Sequence, residues 1–64
     1  MERGLGPALR RLRLQRGLRQ TDFGDLPAKT MARIERGKIT RPRRRTLAAI
    51  VRKLGVLPQD IETF

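Results

Sequence analysis

The chain has 64 residues, one small domain's worth, with sixteen Lys and Arg against six Asp and Glu for a formal net charge of +10. It contains no Cys, His, Trp or Tyr, which excludes a disulfide framework, thiolate or imidazole metal sites, and nucleophile–base pairs built on Cys or His. The longest apolar run, Leu47 to Val51, falls far short of the roughly 20 residues that span a bilayer.

Leu5, Leu9 and Leu12 recur at helical spacing and Pro7 sits where a first turn tolerates it, so Leu5 to Arg16 is the first expected helix, ended by Gly17. Arg19 to Leu26 is polar and confined between Gly17 and Pro27, leaving room for a second helix of one or two turns. Asp22 and Asp25 are expected to cap or contact the starts of the second and third helices. Pro27 opens the third helix, with Ala28, Met31 and Ile34 on one side, Lys29, Thr30 and Arg33 on the other, and Gly37 as its C-terminal cap. Lys38 to Pro42 reads as a loop, because a proline disfavours helical backbone in the residue before it. The clearest helix follows, from Arg43 or Arg44 to Leu54, with Leu47, Ile50, Val51 and Leu54 on one face and Gly55 closing it. Pro58 starts a last short helix carrying Asp60, Ile61, Glu62 and Phe64. The fold class is thus all-α, a compact bundle of four to five short helices forming a single domain over 1–64, with residues 1–4 expected to be flexible.

Charge is the strongest bulk signal. Such a cationic surplus repels itself and is best relieved by a polyanion. Thirteen of the sixteen cations are arginine, whose planar fork suits phosphate and guanine. Arg41, Arg43, Arg44 and Arg45 crowd the start of the fourth helix, where free N–H groups and the helix dipole already present positive charge. A bound phosphate would turn this unfavourable arrangement into an anion site.

The order of Leu12-Arg13-x-x-Arg16-Gly17-Leu18-x-Gln20, then Met31-Ala32-Arg33-Ile34-Glu35-Arg36-Gly37, then Leu47-x-x-Ile50-x-x-x-Leu54-Gly55-Val56 resembles the Cro and lambdoid phage repressor (XRE) type of helix-turn-helix protein. The stretch Gly37 to Arg43 is similar to the loop that lambdoid repressors lay along DNA. The resemblance implies a five-helix bundle that binds double-stranded DNA and regulates transcription, as phage and bacterial repressors do. It implies base readout by Ala28, Lys29 and Arg33, with the third helix in the major groove. Gln20 would contact phosphate through its side chain and backbone, and Thr30 would lie close to the backbone. Lys38, Arg41, Arg44 and Arg45 would contact phosphate and Arg43 the minor groove. Arg13 and Glu35 match an internal ion pair between the first and third helices. Dimerisation on a palindromic site is the family's habit, and apolar Val56, Leu57 and Phe64 are its candidates here. One departure stands out: fourteen positions separate Gln20 from Ile34, three fewer than the usual pattern. Phe23 and Gly24 can stand for the apolar and small residues of the second helix, which leaves Asp25-Leu26-Pro27 to make a tight connection.

The residues leave other readings open. A helix-turn-helix-derived protein-interaction module, antitoxin-like or a transcription adaptor, would use the shortened second-helix region to hold an unknown protein partner. A basic RNA- or single-strand-binding protein needs aromatic stacking platforms, for which only Phe23 and Phe64 are present. A membrane-active first helix would divert leucines that the core needs. No catalytic constellation, cofactor site or metal site is expected, so the protein is not an enzyme. Met1 to Gly4 leads into no secretory signal, and the expected location is the cytoplasm, on the nucleoid, away from membranes.

Overall fold

Apolar residues at helical spacing along α1 (Leu5–Gln15), α2 (Ala28–Glu35) and α3 (Arg44–Leu54) converge on a shared core, as shown by a computed structural model that describes residues 4–56. Ala8, Leu9 and Leu12 of α1, Met31 and Ile34 of α2, and Ile50, Val51 and Leu54 of α3 are all buried. Leu47, Val56 and Ile39 lie half-buried against them. Among the described residues there is no strand, and the all-α expectation holds with three α-helices rather than four or five. The last short helix expected from Pro58, with Asp60, Ile61, Glu62 and Phe64, lies outside the described residues.

The expected second helix is a single 3-10 turn, Gln20–Asp22. The three missing residues leave no length for an α-helical span between Gly17 and Pro27. The turn is held locally: the Arg19 backbone N–H donates to the Asp22 carboxylate at 2.7 Å, and the Asp22 N–H donates to the Arg19 carbonyl at 3.0 Å. Phe23, directly after the turn, is buried in the core and anchors this connection. The expectation for Asp25 fails. It is exposed, and Pro27 occupies the N-cap of α2 with no side-chain cap, because proline's fixed φ (here −62°) already sets the extended backbone that enters the helix.

Each helix ends in the same way. At α2 the Gly37 N–H donates to the Ile34 carbonyl (3.1 Å) and the Lys38 N–H to the Arg33 carbonyl (2.9 Å), with Gly37 at φ +79°. This double closure satisfies end carbonyls that would otherwise be orphaned, and it needs a residue without a Cβ penalty at positive φ. Gly17 and Gly55 close α1 and α3 with the same bonding pattern. The chain therefore leaves α2 in a fixed direction, which sets where Lys38 to Arg43 run.

Close packing of α1 on α2 rests on Gly6. A Cβ there would lie 2.5 Å from the Ile34 carbonyl oxygen and 2.7 Å from that of Glu35. The start of α1 thus abuts the last carbonyls of α2 with no room for a side chain.

Candidate nucleic-acid interface

On α2, burial of Met31, Ile34 and Glu35 fixes which side chains look outward. Lys29 and Arg33, four residues apart and so on one face, are exposed, while Ala28 and Thr30 are half-buried. Past the Gly37 closure, Lys38, Arg41, Arg43, Arg44 and Arg45 are all exposed. A cleft of about 290 Å³ lies between α2, the loop and α3, lined by Thr30 and Ile34 of α2, Ile39, Arg41, Pro42 and Arg43, and Thr46 of α3. The loop arginines Arg41 and Arg43 therefore neighbour the Thr30 and Ile34 edge of α2, while Lys29 and Arg33 do not line the cleft.

Among the described residues the acids are Asp22, Asp25 and Glu35. The ion pairs formed there are Arg13–Glu35 and Arg19–Asp22, and no carboxylate pairs with Lys29, Arg33 or the loop arginines. Arg43 serves as the N-cap of α3 without a side-chain cap bond, and the first turn carries no acid. The cations beside this helix start are not neutralised by the described part of the chain.

Arg13 and Glu35 meet in the interior. The guanidinium donates from Nε to Glu35 Oε2 at 2.6 Å and from Nη2 to Oε1 at 3.0 Å, and Nη1 donates to the Leu18 carbonyl at 2.9 Å. Both side chains are almost fully covered, at 9% and 2% exposure. The hydrogen bonds to Glu35 push the Arg13 guanidinium above its ordinary value, opposed by burial and assisted by the carboxylate's charge. Gln20 joins the same network, its side-chain amide donating to Glu35 Oε1 at 3.1 Å. The residue expected to meet phosphate with its side chain thus has that N–H turned inward, tying the 3-10 turn to α2.

A family described as a helix-turn-helix domain matches residues 5–64. The chain belongs to this family. No curated protein and no solved structure matches it. In this helix-turn-helix domain α2 follows the 3-10 turn across the connection from Phe23 to Pro27, and the loop from Lys38 to Arg43 follows α2. Val56, expected on a dimer face, is half-buried against the domain's own core and donates its N–H to the Val51 carbonyl; Leu57 and Phe64 lie outside the described residues. No group of three or more His, Cys, Asp or Glu is placed to hold a metal among the described residues, and no helix there is long and apolar enough to cross a membrane.

Two features of the site escaped the sequence reading. Thr46 lines the cleft beside Thr30, and its only signal was a hydroxyl directly after an arginine run. The inward turn of Gln20 had none, because it depends on where Glu35 lies after folding.

Proposed function

We propose that this helix-turn-helix domain is a sequence-specific, double-stranded-DNA-binding transcriptional regulator of the Cro and lambdoid repressor type, acting as a repressor by occupying its site on the nucleoid. Lys29 and Arg33, with Ala28 beside them, read base edges in the major groove. Thr30, Lys38, Arg41, Arg44 and Arg45 hold phosphates, and Arg43 approaches the minor groove. Gln20 contributes through its backbone N–H, since its side-chain amide is already engaged with Glu35. The observation that supports this reading is the exposed arginine cluster, unpaired by any described carboxylate and sharing a cleft with Thr30 and Ile34 of α2.

The test is duplex binding across salt concentration, comparing the native chain with Arg41→Ala/Arg43→Ala/Arg44→Ala. Each lost phosphate contact lowers the log–log slope by about 0.9 in magnitude, so the variant should fall short by about 1.8 from Arg41 and Arg44, rising to about 2.7 where Arg43 also neutralises a phosphate at the groove edge. A slope unchanged by the triple substitution removes the proposed site. A protein-interaction module instead predicts no duplex binding at physiological salt by either protein.

A further inference from the structure

We infer that the Gln20 side chain is a positioning residue for base readout: by clamping the 3-10 turn to the last residue of α2, it holds the backbone of that turn in register with Lys29 and Arg33. This rests on the DNA-binding reading above and names what makes that binding sequence-selective. The turn is joined to the start of α2 covalently, through Phe23 to Pro27, and to its end by the Gln20 amide, which donates to Glu35 Oε1 at 3.1 Å. A helix of eight residues rises about 12 Å, so the two attachments span the whole of α2. Arg13 completes the clamp. Its Nε and Nη2 hold Glu35, and its Nη1 holds the carbonyl of Leu18, two residues before Gln20. The buried ion pair thus spends its remaining hydrogen-bonding capacity on the chain from which the shortened turn is built.

A second helix of ordinary length would be oriented by burying its own apolar stripe. Here the turn has three residues and none is buried, although Leu18, Phe23 and Leu26 around it touch the core. The angle between the turn and α2 is therefore left to polar bonds, and the Gln20 amide joins the two elements directly. Its acceptor is a carboxylate, which makes the bond stronger than one between neutral groups. Phosphate contacts carry no sequence information, but they fix the register in which base edges are read. Loosening the turn leaves every cation in place and removes that register, so the selected site loses its advantage while arbitrary duplex is bound much as before.

The test compares the full native chain with Gln20→Ala, Gln20→Glu and Gln20→Lys, each at a temperature where circular dichroism shows it folded. Two probes are used: a duplex selected from a random-sequence pool for tight binding by the native chain, and random duplex. Gln20→Glu keeps the shape of the side chain but loses the donor and meets Glu35 with like charge, whereas Gln20→Lys keeps an N–H donor on a stem long enough for Glu35. Gln20→Ala and Gln20→Glu should lower the ratio of selected to random affinity about three- to tenfold, the range of one net hydrogen bond. The salt slope of Gln20→Ala should match the native slope, because no cation is lost. Gln20→Lys should keep the ratio within about twofold of native, its added charge strengthening both complexes together. A ratio unchanged in Gln20→Ala overturns the inference and leaves the amide a stability contact alone. A ratio lost as fully in Gln20→Lys as in Gln20→Ala overturns it too, since the donor would then not matter. Both outcomes leave the DNA-binding reading standing, and absence of duplex binding by the native chain overturns both readings.

Discussion

At Gly6 two effects of opposite sign meet, and their sizes decide the outcome of adding a methyl group. Alanine in a helix is favoured over glycine by about 0.5–1 kcal/mol. The new Cβ would sit 2.5 Å and 2.7 Å from two backbone carbonyl oxygens, which cannot swing aside as a flexible side chain would. Overpacking of this kind costs about 1–3 kcal/mol, so Gly6→Ala should be destabilising on balance, with a thermal midpoint lower by several degrees in a melt followed by circular dichroism. A raised midpoint would show that α1 and α2 are not in close contact there. The Arg13–Glu35 pair calls for a different experiment. Removing either partner strands a buried charge, a loss of about 3–5 kcal/mol, against a total stability of roughly 3–10 kcal/mol for a chain of this size. Arg13→Met and Glu35→Leu should therefore each come close to unfolding the domain, and the double variant should recover much of the loss. Because the guanidinium is shifted upward, its contribution is complete below the ordinary arginine value and fades only at still higher pH. The coupling measured by denaturant titration should then be the same at pH 7 and pH 10, and additive single losses would refute the pair.

Elements that bury one face at a regular period were legible before folding, and those shaped by distant contacts were not. The leucine spacing marked α1 to within one residue of its observed end at Gln15, and the three terminating glycines stood where the chain turns positive in φ. The arginine cluster was legible because it contradicts the local electrostatics of α3. The 3-10 turn was only partly so: the deficit of residues showed that the second helix must shrink and Phe23 stood as its apolar residue, as found, yet nothing local showed that Gln20 would reach Glu35. The Gly6 contact left no trace, since a glycine near a helix start carries no mark of what it will abut. The shortened turn makes the placement of α2 the main question at this scale. If Lys29 and Arg33 read bases, Lys29→Ala/Arg33→Ala should lose about 1–3 kcal/mol of discrimination per contact while binding to arbitrary duplex weakens less. Competition between a selected site and random duplex measures this, and equal losses on both would make α2 a backbone contact.

The whole molecule is short of acid. Fifteen of its sixteen cations but only three of its six carboxylates fall within residues 4–56, and Glu35 and Asp22 are already paired. Its free state is accordingly strained by self-repulsion, and the residues proposed to bind DNA are the ones that repel most. Stability and binding should then respond to salt in opposite directions: raising salt screens the repulsion and stabilises the free protein, while it weakens duplex binding. The same trade-off should appear in Arg41→Ala/Arg43→Ala/Arg44→Ala. Relief of a few tenths of a kcal/mol for each cation near the α3 start sums to about 1 kcal/mol, or roughly 4–8 °C for a domain of this size. At low salt the variant should therefore melt above the native chain. Added duplex should reverse the order, because ligand at a hundred times its dissociation constant stabilises by about 2.7 kcal/mol and the variant, binding more weakly, gains less. A variant that melts below the native chain without DNA would show that these arginines support the fold, and the assignment of the cluster to an external polyanion would fail with it.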